Sequence, residues 1–317
     1  MIFSTDLLHY LTIAGAVGLN SVAVGIGEGL ATLDTIRAMN IQPEAKSEIQ
    51  NCAIMGMALI ETAAIMGVAM ATIMLFGTSA ESRSFYFGLA EIGIMAAICI
   101  TGAVVGVISA LPAKTACLAI ARQPFSHKLI MRFMLVTQSI IQTPIIFGFL
   151  IAMFIKAQAP FAASVGDGLR LLASGLCIGI GSIGPALGLA HFAKVACASM
   201  GINRNAHGKL VSFTFISQAI IETPIIFALV VALIIITSSA ATDFQGIAFI
   251  AAALSIGIGT FGAGISSGRT AASACQQIAI NPRDYSTLSK VSMFAQGIID
   301  TSAIYAFLIS FVLILFR

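Results

Sequence analysis

Three carboxylates occupy one position of a repeating pattern: Glu61-Thr62, Glu222-Thr223 and Asp300-Thr301, with Gln142-Thr143 in the remaining copy. Each sits midway along a run of apolar residues. An ionisable group at the depth of a bilayer costs several kcal/mol when charged and unpaired, and is a functional candidate by default. The chemistry it offers is reversible loading with a proton or small cation. A buried interhelical hydrogen bond would explain one such acid, but three at one register favour carriage of an ion. The threonine that follows in every copy offers a hydroxyl that can donate a hydrogen bond or ligate a cation through oxygen. Gln138, Gln218 and Gln296 lie four residues earlier, one turn away on the same helix face, and the first copy has Met57 there. Pro144 and Pro224 follow two residues after the site and are expected to loosen the helix locally.

The elements that must hold these groups are membrane helices. The chain has 317 residues, 58% hydrophobic and 9% charged, with a mean hydropathy of +1.02. A soluble domain carries roughly a quarter charged residues, so water is not the main solvent. Runs long enough to cross a bilayer, about 20 residues each, recur near 8–39, 50–77, 87–121, 129–156, 168–200, 210–238, 245–279 and 288–316. All but four of the sixteen Lys and Arg flank the connections after runs 1, 3, 5 and 7; Arg83, Lys156, Arg170 and Arg317 lie towards the other side. The positive-inside rule puts the basic loops in the cytoplasm and both termini opposite. Basic residues without a soluble domain give no reason to expect nucleic acid. The six cysteines fall within the runs without metal-ligand spacing and read as small packing residues. MIFSTDLLHY lacks a basic n-region and a cleavage site, and no signal peptide is expected.

Internal repetition organises the whole chain. Offsets of 81, 161 and 239 bring the first two runs into register with the others: Gln42-Pro43 falls on Gln123-Pro124, Asn203-Arg204 and Asn281-Pro282. TQSIIQTPIIFGFL in the second copy matches SQAIIETPIIFALV in the third at eight of fourteen positions. The units are expected at 1–80, 81–160, 161–240 and 241–317, two runs each. They therefore share one orientation, unlike the inverted repeats of many secondary transporters. The odd runs carry small residues four apart: Ser21, Gly25, Gly29; Gly102, Gly106, Ala110; Ser182, Ala186, Ala190; Thr260, Gly264, Gly268. Such stripes let helix backbones approach where lipid supplies no hydrophobic drive. The odd helices are expected to form an inner layer, and the bulkier even helices an outer, lipid-facing one.

GIGEG at 25–29, the polar loop Arg122-Gln123-Pro124 and its relatives, ALIET at 58–62 and QPEAKSEI at 42–49 together resemble the c-subunit of F-type ATP synthases. The resemblance covers almost the whole chain as four fused hairpins, whereas the usual member is one hairpin. It implies an all-α membrane protein of eight transmembrane helices, odd ones inner and even ones outer in a ring. It implies an ion-translocating rotor without catalytic residues or cofactor, with nucleotide chemistry belonging to a peripheral sector. Glu61, Glu222 and Asp300 match the ion-carrying carboxylate, with Thr62, Thr223, Thr301, Glu28, Gln142, Gln218 and Gln296 as its surroundings. Gln42, Pro43, Arg122, Gln123, Pro124, Arg204 and Pro282 match the loop that contacts the central stalk. The implied partners are further copies in a ring, the stator a-subunit with its arginine, central-stalk proteins and lipid. The implied location is a bacterial inner membrane. A vacuolar-type ATPase proteolipid is the nearest alternative, and an ion-coupled secondary transporter a more distant one.

The ion is expected to be H+, with Na+ the alternative. Sodium-binding members keep a glutamine on the inner helix where this chain has Glu28, Ser109, Leu189 and Ser267. Hard cations want several oxygens, and Leu189 offers none. The second hairpin has lost its acid to Gln142 while the first has gained Glu28. Either the second hairpin carries no ion, or Glu28 and Gln142 form one shared site with acid and amide exchanged between helices.

Overall fold

The computed structural model describes residues 2–77, 84–239 and 242–316, with side chains from residue 6 onwards; Arg83, Arg317 and parts of the outer connections expected at 78–86 and 239–244 lie outside them. The described residues form helices and short helical turns, with no strand among them. Eight spans are long and apolar enough to cross a membrane: Asp6–Ile41, Pro43–Phe76, Phe85–Arg122, Pro124–Phe161, Val165–Met200, Arg204–Thr237, Asp243–Ile280 and Pro282–Leu315, numbered here 1 to 8. At 34 to 38 residues and 1.5 Å per residue they reach about 50 Å, beyond the ~30 Å hydrocarbon layer. They must therefore tilt or project from it.

The odd spans pack one upon the next, 1 on 3, 3 on 5 and 5 on 7, and each even span lies beside its own odd partner and against the neighbouring even spans. Spans 3 and 5 bury 67% and 72% of their most apolar stretch, against 44% for spans 4 and 6, so the odd helices form the interior. Spans 1, 2 and 8 bury 33%, 33% and 22%, which marks the first and last hairpins as open edges.

Glycine explains the closeness of the odd helices. A β-carbon on Gly27 would strike the carbonyl of Gly106; on Gly175 it would strike the backbone of Gly93, and on Gly188 that of Gly264. In repeat terms the residue at position 27 of one hairpin packs between positions 25 and 29 of the next. The small-residue stripe is thus a hairpin-to-hairpin seam. Its first copy has no mate within the chain, for Gly25 and Gly29 have open space around them. The complementary edge belongs to span 7, where Gly262 is open and Ser266 is exposed.

Each hairpin tip is a short 3-10 turn: Pro43–Ala45, Pro124–Ser126, Arg204–Ala206 and Pro282–Asp284. Proline at the first helical position of three of them supplies the fixed φ such a turn needs. Lys209 Nζ donates to the Pro282 carbonyl at 2.8 Å, tying the third tip to the fourth. All six cysteines are buried, as small packing residues should be.

Candidate functional site

The spans are irregular at the register of the acids. Span 2 is two helices, Lys46–Ile60 and Thr62–Phe76, that meet at Glu61; span 4 breaks in the same way between His127–Ile141 and Thr143–Gln158 at Gln142. On span 3 the helices Thr101–Ile108 and Ala110–Arg122 meet at Ser109. Spans 6 and 8 run unbroken through Glu222 and Asp300. The expected proline effect is not what sets these breaks: span 4 breaks two residues before Pro144, but span 2 breaks at the same register with Ala63 and Ala64 there and no proline. Nor does proline break the third hairpin, where Pro224 sits inside the continuous helix His207–Thr237. Its missing N–H and ring are accommodated there within a well-packed span.

The inner and outer site residues of a hairpin meet each other. Gln142 is buried and its Nε2 donates to Ser109 Oγ at 3.0 Å. Ser109 stands at the register of Glu28, and Glu28 in turn lines an open cavity of about 420 Å³ together with Glu61, Ser21 and Gly25. The structure therefore groups Gln142 with Ser109 and Glu28 with Glu61, each within its own hairpin, in place of Glu28 with Gln142. The reason is the breadth of the seam, which brings Gly27 against the Gly106 backbone and turns Glu28 to the open side.

The acids differ in setting. Glu61 is exposed on the free edge, Glu222 is half-buried, and Asp300 is 8% exposed. Asp300 Oδ1 and the hydroxyl of Ser267, its inner-helix counterpart by register, are both buried with no hydrogen-bond partner among the described residues. In the third hairpin the counterpart is buried Leu189. The hydroxyls expected to assist are directed along their own helices: Thr223 donates to Ala219 O at 3.1 Å and Thr301 to Ile298 O at 2.6 Å. Only their oxygen lone pairs remain for a ligand.

The three glutamines one turn before the site are fully buried and form a ladder between outer helices. Gln138 Nε2 donates to Gly56 O at 2.8 Å and Gln218 Nε2 to Thr137 O at 3.2 Å. Gln296 Nε2 reaches Ser217 Oγ at 3.4 Å and Ser292 Oγ at 3.1 Å. In each case the acceptor belongs to the preceding hairpin, one position off register, with Ser292 a further acceptor for Gln296.

Two buried charged groups are not evident from sequence. His9 Nδ1 and a carboxylate oxygen of Glu91 form a buried hydrogen-bonded pair between spans 1 and 3. Arg170 donates to the carbonyls of Ile236 and Ser238, and lies 3.7 Å from Asp167. It thereby caps the C-terminal end of span 6, whose last carbonyls have no helical partner. The signal for the first lies in spacing alone: the pair is 82 residues apart, near the repeat length, but its chemistry occurs in no other copy. Of the stalk-loop candidates, Pro43, Arg122 and Arg204 are exposed, while Gln42, Gln123, Pro124 and Pro282 are half-buried in the turns.

A fused array of transmembrane hairpins, with small residues at the inner seams and one polar position midway along each outer helix, is the class of protein that this geometry defines. The family described as the C subunit of ATP synthase matches residues 172–235 and 250–313, which are the third and fourth hairpins. The ATP synthase c-subunit of Chloroflexus aurantiacus is 36% identical over 69 residues, covering 22% of this chain and 91% of that relative. Its counterpart in Bacillus thuringiensis is 38% identical over 68 residues, covering 22% and 94%. That of Campylobacter lari is 41% identical over 64 residues, covering 20% and 60%. The chain belongs to the ATP synthase c-subunit family, and a single relative corresponds in length to about one of its four hairpins.

Proposed function

We propose that this chain is the rotor proteolipid of an ATP synthase, carrying ions through the membrane on Glu61, Glu222 and Asp300 while a peripheral sector performs the nucleotide chemistry. The observation that carries this reading is the common placement of the acids: one register, midway along outer helices, beside inner helices held together through glycine backbone contacts. A carboxylate in lipid must be neutralised by a proton or a cation. A loaded site can therefore turn through lipid, and an unloaded one needs a cationic partner such as a stator arginine.

The open edges support assembly of copies into a ring. Gly25 and Gly29 on span 1 lack the partner that their equivalents Gly264 and Gly268 find in Gly184, Pro185 and Gly188. The matching face lies at the far end of the same chain, around Gly262 and Ser266, so one copy's fourth hairpin meets the next copy's first. The four tips, bearing exposed Arg122, Arg204 and Pro43, then form one crown for central-stalk proteins. The excess of Lys and Arg on that side is the reason to place it in the cytoplasm of a bacterial cell. The F-type assignment rests on the Gln-Pro loops and the F-type relatives, and H+ is the favoured ion because Leu189 removes one oxygen from the third site.

Carbodiimide labelling of the assembled complex tests this reading. A hydrophobic carbodiimide reacts with protonated acids in apolar surroundings, so Glu61, Glu222 and Asp300 should be modified well before loop acids such as Glu44, and ATP-driven ion pumping should stop. Equal modification of Glu44 and the three acids would sink the proposal.

A further inference from the structure

The amide ladder leaves something over. Gln138 and Gln218 each donate Nε2 to a backbone carbonyl of the preceding outer helix. A carbonyl cannot donate, so these contacts fix the orientation of the amides that is otherwise ambiguous. Their Oε1 atoms, and that of Gln296, are buried without a hydrogen-bond partner among the described residues. All three side chains are fully buried. A buried acceptor left without a donor costs about 1–3 kcal/mol, yet the arrangement occurs in three consecutive hairpins. Four residues on, and so on the same helix face one turn away, stand Gln142, Glu222 and Asp300. In the fourth hairpin the gathering is fullest: Gln296 Oε1, Asp300 Oδ1 and Ser267 Oγ are all buried and all unpartnered among the described residues.

Resting on the reading of Glu222 and Asp300 as ion carriers, we propose that the amide oxygens of Gln218 and Gln296 are ligands of the carried ion. Each takes the hydrogen bond of the protonated carboxyl four residues later, or coordinates the small cation held there. The donor that the oxygen lacks is the one cargo that comes and goes. A charge-assisted or carboxyl O–H contact of this kind is among the stronger hydrogen bonds. The Nε2 anchor on the preceding outer helix holds the amide in place in both loaded and empty states. The sites of one chain are then unequal. Asp300 has both an amide oxygen and the Ser267 hydroxyl, Glu222 has the amide oxygen and Leu189, and Glu61 has Met57 in place of the amide, with Glu28 beside it.

The second hairpin supplies an internal control. Gln138 makes the same anchoring bond, but the residue after it by four is Gln142, which takes up no ion. Gln138→Leu therefore removes the same packing and the same ladder bond without touching a carrier. In the intact complex in sodium-free choline chloride buffer at mildly alkaline pH, site-resolved mass spectrometry should show that Gln218→Leu slows carbodiimide labelling of Glu222 about three- to tenfold and leaves Asp300 unchanged. Gln296→Leu should do the reverse, and Gln138→Leu should affect neither. Should Gln218→Leu fail to assemble, Met57→Gln decides: it adds the missing oxygen and should speed labelling of Glu61 severalfold. A second arm identifies the cargo, because sodium chloride against choline chloride slows wild-type labelling only if the oxygens hold sodium. Unchanged labelling of Glu222 and Asp300 in their own variants, with both acids still reactive, overturns the ligand role and leaves the rotor reading standing. An equal fall in all variants, Gln138→Leu included, reduces the ladder to packing and also overturns it. Acids that do not label even in the wild type overturn the rotor reading itself.

Discussion

At the scale of single residues, Gln142 shows how an outer helix can occupy lipid without an ion. Its Nε2 donates to Ser109 Oγ on the inner helix of its own hairpin, and as an amide it stays uncharged without taking up a proton or a cation. Gln142→Glu should then give a fourth carbodiimide-reactive carboxyl per chain, and ion transport per ATP should rise in the reconstituted complex. Failure of the introduced carboxyl to label would mean that the second hairpin is closed to ions for another reason. Glu28 belongs to a different setting, sharing its cavity with Glu61. Two carboxylates line that one cavity, so Glu28→Gln should change the carbodiimide labelling of Glu61 and leave that of Asp300 unchanged, read by site-resolved mass spectrometry. The acids, the threonines and the loss at Gln142 are legible in the sequence because register alone reveals them. The Gln142–Ser109 contact is not, since it depends on which faces of two helices meet, and a repeat offset carries no information about rotation. The His9–Glu91 pair is hidden for the same reason.

At the scale of helices, the fold rests on close contact between small residues. Small-residue spacing in the odd spans announces that contact, and the eight spans are plain from hydropathy. Which glycines matter is another question. Gly264 faces the Gly184–Pro185 backbone so closely that any β-carbon must push the helices apart, while Gly262, two residues earlier, faces open space. Gly264→Ala is expected to cost about 1–3 kcal/mol by overpacking, read as a fall in the thermal stability of the detergent-solubilised chain. Gly262→Ala should leave that stability within roughly 0.5 kcal/mol. Reversal of that order would mean that the seam is not the main contact. The sequence presents both glycines in one small-residue stretch, FGAGISSG, and only the helix faces distinguish them. The break expected at Pro224 is absent from span 6 for a related reason. Tertiary packing on several neighbours holds the helix through that proline, where local propensity alone predicts a break.

At the scale of the molecule, the array has two unlike edges, and Gly25 and Gly29 lie on the one that a second copy covers in the proposed ring. A β-carbon on Gly25 meets nothing within the chain, so Gly25→Leu places its bulk in the open edge cavity beside Glu28 and Glu61. The variant should fold normally, yet fail to form the ring, and native mass spectrometry should find species of one chain, 32.8 kDa, in place of a multiple. A ring made only of this chain contains a multiple of four hairpins, with three copies and twelve hairpins the expected closure. A rotor image with ten or eleven hairpins would show that other chains enter the ring.

In the proposed rotor, fusion also changes what the machine feels as it turns. Identical single hairpins present a stator with evenly spaced handholds, each able to exchange an ion. Here one handhold in every four is Gln142, which is neutral whatever the ion gradient. A stator passing it must cross twice the usual angle between exchanges, with no ionic pull over the second half. In such a rotor the gap would have to be bridged by elastic twist in the stalk and in the rotor's own helices. Torque from such a rotor is a pattern that repeats once per chain, a gear with a missing tooth at a fixed place, rather than the smooth sequence that equal hairpins give.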